Sequence, residues 1–311
     1  MVGARFAALV EDAPPYASLS GFCAAGLCSP AATHRIAAGY PSLRAALEQQ
    51  PDLAAVAAGI RPTPSDVVVI TGPSPDPPRR GWGDTALSEL AERGRRFHTT
   101  HAPTGTIGAA GAETGLARAY GAWALGEDRY RAGTTPRALA SLAGSTTAPT
   151  MEELRRLCPD PVVDDAAGVA RHLEESGTLA RWRRWAGDPA PGKRLGYASP
   201  LLVPHWAEAD LLVGDTLIEV KTVLRADQPA RIARWLWQLL GYVWLDTSDR
   251  WQIRRAALYL ARHGITVAWP VTELEARMVG DPDRVEEARH AFRRLAQQTA
   301  LAEGATLLPP P

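Results

Sequence analysis

Apolar positions change their spacing near Ser199, and this change separates two kinds of predicted element. Before it, apolar residues recur at helical spacing in segments that prolines interrupt. One short apolar run in this half, residues 65–72, predicts a buried strand instead. After Ser199 the spacing predicts, in order, three strands, a helix, a strand–turn–strand and a closing helix, at residues 199–206, 208–213, 216–223, 230–246, 255–271 and 281–304.

The first half is predicted to be helical or irregular. Residues 42–60 predict a helix that a central proline breaks, and the Ala/Gly-rich residues 104–126 predict a tightly packed helix beginning near Thr106. Residues 151–187 predict two or three further helices. A loop rich in proline and glycine, residues 188–196, precedes the change to strands.

A glycine followed by an aspartate, Gly214-Asp215, separates two of the apolar runs and predicts a hairpin with a two-residue loop. Counting outward from this loop fixes the register, in which the predicted pairs are Val213 with Thr216, Leu212 with Leu217, Leu211 with Ile218, Asp210 with Glu219, and Glu208 with Lys221. Directly opposed residues in such a ladder have Cβ atoms ~4.5–5.5 Å apart. The hairpin therefore predicts two carboxylates side by side.

Strand alternation places four charged residues, Glu208, Asp210, Glu219 and Lys221, on one face of this hairpin. Opposed carboxylates destabilise a sheet, and burial increases the cost unless a cation compensates. Lys221 supplies one positive charge and a divalent metal would supply the rest. Oxygen ligands favour Mg²⁺, with Mn²⁺ as an alternative. The competing interpretation is a solvated face on which Lys221 forms ordinary surface ion pairs.

Composition limits the class of protein. The 311 residues are 46% hydrophobic and 22% charged, which is ordinary for a soluble globular chain. Lys+Arg and Asp+Glu both total 34, so net charge argues neither for nor against a nucleic-acid partner. Cys23, Cys28 and Cys158 are too few for a disulfide framework and predict free thiols. No apolar stretch reaches the ~20 residues of a membrane span, and Glu11 and Asp12 come too early for a secretory signal. We expect a cytoplasmic protein.

The order of these features resembles the PD-(D/E)XK nuclease superfamily. The resemblance lies in Asp210 before a tight hairpin, Glu219-Val220-Lys221 after it, and a following helix with the sequence QLLGY, and it covers about residues 199–271. It implies a restriction-endonuclease-like core (α-β-β-β-α-β, a mixed central sheet flanked by helices), here with added helical regions. Ala209 stands where the family name has a proline.

This resemblance also implies the chemistry. Asp210, Glu219 and the Val220 carbonyl would bind Mg²⁺, which activates water and polarises a phosphate oxygen. Lys221 would orient the nucleophile or stabilise the transition state, and Gln238 would fix Lys221 or the water. The expected function is metal-dependent hydrolysis of phosphodiester bonds in DNA, with RNA left open. The alternatives are an inactive nuclease-like module that binds nucleic acid or a partner protein, and an unrelated α/β enzyme.

The family's first helix usually carries a further carboxylate, and two candidates stand in this chain. Glu113 lies in the Ala/Gly-rich helix and is preferred over Glu174. That choice implies a nuclease domain at residues 101–275 with a helical insertion at about 125–194. Residues 1–100 and 276–311 then form an N-terminal region of unknown role and a C-terminal helix with a tail. Nucleases of this kind often pair to cut two strands, so a homodimer is also expected.

Two basic neighbourhoods are candidate nucleic-acid contacts. Guanidinium groups suit phosphates and aromatic faces can stack on unpaired bases. The first neighbourhood interleaves arginines with tryptophans in residues 180–187, and the second enters the helix after the hairpin. The arginines are Arg181, Arg183 and Arg184 in the first and Arg225, Arg231 and Arg234 in the second. The competing interpretation of the first is an amphipathic helix whose tryptophans pack inward.

Overall fold

The computed structural model describes residues 1–41, 81–145, 147–203, 206–303 and 307. Its chain divides into two compact units, Met1–Arg171 and His172–Pro311. The predicted strand at residues 65–72 and the predicted broken helix at 42–60 lie outside the described residues. No helix in the described ranges combines the length and the apolar character that a membrane span requires.

The described part of the N-terminal unit is helical. Its helices are α1 (Val2–Val10), α2 (Tyr16–Ala24), α3 (Pro30–Ala38), α4 (Asp84–His101), α5 (Ala110–Ala132), α6 (Arg137–Ala143), α7 (Met151–Arg156) and α8 (Asp160–Glu175), whose last residues belong to the second unit. The Ala/Gly-rich segment forms α5. A Cβ on Gly21 of α2 would lie 1.7 Å from the carbonyl oxygen of Gly126, so only glycine permits this close packing of α2 on α5.

This packing changes the division of the chain. The sequence assigned residues 101–171 to the nuclease domain and its insertion, but the structure packs them with the N-terminal helices, because α5 lies along α2. Phe22 and Trp123 meet edge to face between these two helices, with ring centroids 5.8 Å apart. The hydrophobic core of this unit therefore joins the first forty residues to the helix predicted to open the nuclease domain.

His98 is a buried titratable group of the N-terminal unit, 3% exposed, with its Nε2 atom 3.4 Å from the Thr104 hydroxyl. Burial, and to a smaller extent the cations Arg5 and Arg95, lower the pKa of His98 to about 3. The imidazole is therefore neutral in the folded protein at any pH near neutrality, whereas it protonates near its ordinary pKa in the unfolded chain.

Because the folded pKa lies below the unfolded one, the unfolded state binds more protons between these two values, and stability falls as pH drops through that window. We expect His98→Gln to remove this dependence. Between pH 7 and pH 5 the free energy of unfolding of the wild type should fall by about 1–2 kcal/mol more than that of the variant. Urea unfolding at both pH values measures it. The same substitution at the exposed His34 should leave the pH dependence unchanged, and parallel curves for wild type and His98→Gln would contradict the prediction.

The C-terminal unit is a mixed α/β structure. Its elements are α9 (Thr178–Trp185), β1 (Gly196–Ala198), β2 (Leu201–Val203), β3 (Ala207–Glu208), β4 (Leu211–Val213), β5 (Thr216–Lys221), α10 (Pro229–Leu245), β6 (Arg255–Leu260), β7 (Ile265–Pro270), α11 (Val271–Val279), a 3₁₀ turn (Pro282–Arg284) and α12 (Val285–Ala302). Five strands form one sheet in the order β1-β4-β5-β6-β7, and β2 pairs only with β3. The β5–β6 pair is parallel and the others are antiparallel.

The predicted hairpin is confirmed for its first three pairs. Val213 pairs with Thr216, Leu212 with Leu217, and Leu211 with Ile218. Gly214 has φ +56°, as a two-residue hairpin loop with glycine at its first position requires. The ladder ends at Leu211.

Of the strand predicted at residues 199–206, the structure forms β2 (Leu201–Val203), and the predicted pairing of Glu208 with Lys221 is wrong. Ser199, with φ +51°, and Pro200 lie between two short strands, so β1 ends before them and β2 begins after them. Glu208 then pairs with Leu201 in the small β2–β3 sheet instead of extending the hairpin. Of the four charges predicted on one face, Glu208 therefore belongs to a different sheet.

Helices cover both faces of the five-stranded sheet. Leu217 of β5 and Ala256 of β6 pack beneath α10 in one apolar cluster, together with Leu239. On the opposite face Trp182 of α9 meets Tyr259 of β6 edge to face, with ring centroids 5.3 Å apart. A parallel strand pair needs a crossover connection, and α10 supplies it between β5 and β6. The result is a mixed five-stranded sheet flanked by helices.

Candidate functional site

The candidate site lies where β5 continues past the end of the β4 ladder. Asp210 immediately precedes β4, and its Oδ2 atom accepts a hydrogen bond of 2.8 Å from the backbone N–H of Val220. In a strand the N–H and C=O groups of one residue point to the same side. The Val220 carbonyl therefore points to the side on which Asp210 lies, beyond the last β4 pair. Asp210 and the middle of the Glu219-Val220-Lys221 segment are brought together as the sequence predicted.

Glu219 and Lys221 alternate with Val220 and lie on the α10 face of the sheet. Glu219 is only 4% exposed, and the Lys221 ammonium nitrogen lies 2.5 Å from its Oε1 atom. The side chain of Lys221 is 17% exposed. A buried carboxylate is costly unless a cation compensates it, and Lys221 provides that cation within the chain.

Helix α10 extends this pair into a chain of hydrogen bonds. Lys221 Nζ donates to Gln238 Oε1 at 3.0 Å, and Gln238 Nε2 donates to Tyr242 Oη at 3.0 Å. Because the amide nitrogen is bound by Tyr242, the amide oxygen is turned toward Lys221. Residues 238 and 242 are one helical turn apart, which explains how one face of α10 carries both. Tyr242 packs against the core beneath α10, and its hydroxyl also orients Gln238.

Trp235 of α10 lies beside the site and is not among the candidate site residues named from the sequence. It is 9% exposed, and its ring lies beneath two cations, with the Lys221 ammonium 5.9 Å and the Arg231 guanidinium carbon 5.3 Å from the ring centroid. Its spacing of three residues from Gln238 was the available signal, since residues three apart share a helix face. The ring is thus a shared cation–π surface for Lys221, which contacts Glu219, and for Arg231.

The predicted further carboxylate, Glu113, takes part in a different arrangement. It belongs to the N-terminal unit, is 1% exposed, and accepts two hydrogen bonds of 2.8 Å from the guanidinium of Arg5. The backbone N–H of Gly108 donates to it at 2.7 Å. Both of its oxygens thus take part in a buried ion pair. The alternative candidate, Glu174, is an exposed residue of α8.

The residues of the first predicted basic neighbourhood differ in their contacts: some bind the backbone of neighbouring segments and others are exposed. Trp182 is fully buried, as the amphipathic-helix interpretation expects. Arg181 Nη1 donates to the Thr266 carbonyl at 3.0 Å and Arg183 Nη2 to the Pro189 carbonyl at 2.8 Å, whereas Arg184 is exposed. These backbone contacts hold α9 on the sheet and its following loop in place.

The second basic neighbourhood lies beside Lys221. Arg225 pairs with Asp227 at 3.1 Å, and its side chain is 80% exposed. Arg231 stacks on Trp235, as described above, and Arg234 is exposed on α10. Of the six predicted arginines, Arg231 is the one that the structure connects directly to the site.

The donors of the site fit a hard divalent cation only in part. Two carboxylates, Asp210 and Glu219, and the Val220 carbonyl are all oxygen donors, which is the set that Mg²⁺ prefers. Yet no group of three or more His, Cys, Asp or Glu side chains suited to a metal occurs among the described residues. A magnesium ion bound here would therefore keep several water ligands, as Mg²⁺ usually does. His205, which precedes the acidic strand in the sequence, lies outside the described residues.

Comparison with protein-family models, with curated proteins and with solved structures finds no match for this chain. The fold and the site therefore define only a class: a mixed α/β protein with a five-stranded sheet and an acidic, lysine-containing cluster beside a hairpin. Any function must be argued from the geometry of that cluster.

Proposed function

We propose that the chain is a Mg²⁺-dependent nuclease that hydrolyses phosphodiester bonds in DNA, on a restriction-endonuclease-like core. One observation carries this proposal: Asp210 bonds to the backbone between Glu219 and Lys221, so two carboxylates and an ammonium group meet at the end of one hairpin. This is the arrangement that phosphodiester hydrolysis needs, because anionic ligands and a cation must lie within reach of the same phosphate.

Each residue of the cluster then has a role. Asp210, Glu219 and the Val220 carbonyl would bind the metal, which when bound supplies a polarised phosphate oxygen and a more acidic water. Lys221 holds a compact positive charge where the pentavalent phosphate would gain negative charge. Gln238 fixes the direction of the ammonium group through its amide oxygen.

A non-catalytic module is the second candidate, and the direct contact between Lys221 and Glu219 favours it. That ion pair neutralises Glu219 without any metal. A nucleic-acid-binding module built this way would need no divalent ion. Calorimetric titration with Mg²⁺ separates the two candidates, since the nuclease must release or absorb heat as it binds the ion and the module need not.

Cleavage itself tests the proposal. We expect the purified protein to cut linear DNA with Mg²⁺ present, to stop in EDTA, and to resume when excess Mg²⁺ is returned. Products are resolved on a denaturing gel with duplex and single-stranded substrates in parallel. Glu219→Gln, purified identically, serves as the control for a contaminating nuclease and should give no products. Cleavage that persists in EDTA, or that Glu219→Gln retains in full, would refute the proposed mechanism.

A further inference from the structure

Two exposed arginines of the C-terminal unit stack on aromatic rings. The guanidinium carbon of Arg194 lies 4.9 Å from the centroid of the Tyr197 ring, and that of Arg250 lies 5.0 Å from the Trp251 ring. The two rings meet edge to face with centroids 5.1 Å apart. These four residues form a continuous series, arginine–ring–ring–arginine, which we call the arginine–aromatic ladder.

The rings of this ladder are held firmly. Tyr197 lies in β1 opposite Leu212, and both rings pack half-buried against the core beneath α10. The Trp251 indole N–H donates to the Leu201 carbonyl at 3.1 Å, and the Trp251 backbone N–H donates to the Asp246 carboxylate at 3.1 Å. A fixed ring restricts the guanidinium that stacks on it, so Arg194 and Arg250 lose less freedom when they bind a partner.

Charge distinguishes the ladder from its surroundings. Arg254 and Arg255, which follow Trp251 in the chain, pair with Asp249 and Asp215 at 2.8 and 2.6 Å. Within the described part of the chain, no carboxylate lies within ion-pair distance of the Arg194 or Arg250 guanidinium, although Asp246 accepts a hydrogen bond from the Arg250 backbone N–H and its charge acts on Arg250. A guanidinium stacked through its face keeps its N–H edge available, and that edge matches the oxygens of a phosphate.

We propose that the arginine–aromatic ladder is a second phosphate-binding surface, which holds the backbone of a nucleic acid away from the Asp210–Glu219 cluster. The choice of nucleic acid as the partner rests on the proposed nuclease function. Tyr197 faces Leu212, which pairs with Leu217, and Lys221 lies four residues further along β5 on the same face of the sheet. Lys221 therefore lies four residues along the strand direction and two strands across the sheet from Tyr197. At the usual spacings in a sheet this is a distance of about 16 Å, which is the length of about five base pairs of duplex.

Binding without cleavage tests this surface. Affinity of a fluorescein-labelled 20-base-pair duplex is measured by anisotropy in EDTA over a series of NaCl concentrations. We expect Arg194→Gln/Arg250→Gln to weaken binding at least roughly tenfold at low salt and to reduce the slope of log Kd against log salt by about 1–2, since each lost phosphate contact removes about 0.9. Arg277→Gln/Arg284→Gln is the matched control, because these exposed arginines are paired with Glu273 and Glu287. It should change affinity less than about twofold.

The outcomes separate this surface from the nuclease proposal. Loss of DNA binding in the ladder variant together with an absence of Mg²⁺-dependent cleavage by the wild type would support the surface and refute the nuclease. Cleavage by the wild type with unchanged binding and salt slope in the ladder variant would overturn the surface alone. Equal losses in the ladder and control variants would also overturn it, because total charge and not this site would then decide affinity.

Discussion

Replacing Glu113 with leucine is expected to lower the free energy of unfolding of the N-terminal unit by about 3–5 kcal/mol, because the substitution leaves the buried guanidinium of Arg5 without its carboxylate. Arg5 is 3% exposed and Glu113 is 1% exposed, so water cannot compensate the lost charge. Urea unfolding followed by far-ultraviolet circular dichroism measures the loss. Adding Arg5→Met to Glu113→Leu should recover most of it, since an apolar pair of similar volume replaces a buried ion pair at little cost.

A matched substitution lies on the same helix. Glu127 of α5 pairs with Arg131 at 2.8 Å, but both side chains reach solvent, so Glu127→Leu should cost less than about 1 kcal/mol. The same variants also test the predicted role of Glu113 as a metal ligand. With the structural role, Mg²⁺ affinity of the folded Glu113→Leu protein stays unchanged. An unaltered unfolding curve combined with a loss of metal affinity would contradict the structural assignment.

The hairpin is the part of the candidate site that the sequence predicts best. Its register follows from two local facts, a glycine-containing two-residue loop and side-chain alternation with a period of two. Leu211, Leu212, Leu217 and Ile218 are all buried, so both faces of this ladder are covered and the two-residue loop is what fixes the register. The neighbourhood of Asp210, Glu219 and Lys221 depends on this local geometry, and for that reason counting along the chain was enough to find it.

Contacts between distant segments were not predictable in the same way. Arg5 and Glu113 are 108 residues apart, and nothing local to either residue indicates that both are buried. The close approach of Gly21 to Gly126 decides that α5 packs with the N-terminal helices, and it depends on the three-dimensional fit of two helices. Likewise, the break at Ser199 moved Glu208 into a separate small sheet, because a local backbone conformation interrupted an otherwise apolar run.

The scarcity of lysine in this chain also points to the site. Of the 34 Lys and Arg residues in the chain, 32 are arginines and only two, Lys193 and Lys221, are lysines. A chain that uses arginine almost everywhere carries a lysine at the position that contacts Glu219. Lysine differs from arginine by its compact charge and three rotatable donors. At 2.5 Å from Glu219 and 3.0 Å from Gln238, a small ammonium group fits where a planar guanidinium would be crowded.

Substituting Lys221 with methionine should therefore have two large effects that share one cause. Loss of the positive charge beside the reacting phosphate is expected to reduce Mg²⁺-dependent cleavage by about 10³-fold. Removing the ammonium partner of the buried Glu219 carboxylate should also lower the melting temperature in EDTA. Because a bound metal would supply the missing positive charge, Mg²⁺ should raise the melting temperature of Lys221→Met more than that of the wild type.

The control for Lys221→Met is Lys193→Met, since Lys193 is the other lysine of the chain and is exposed in the loop before β1. It should cleave and melt as the wild type does. Lys221→Arg, which keeps the charge but not its compact shape, should lose most of the cleavage while recovering part of the stability in EDTA. Differential scanning fluorimetry with and without Mg²⁺ measures the shift in melting temperature caused by metal binding, and it does so independently of cleavage activity. If Mg²⁺ shifts Lys221→Met no more than the wild type, Glu219 is not a ligand of the metal, and the charge of Lys221 serves only to compensate a buried carboxylate.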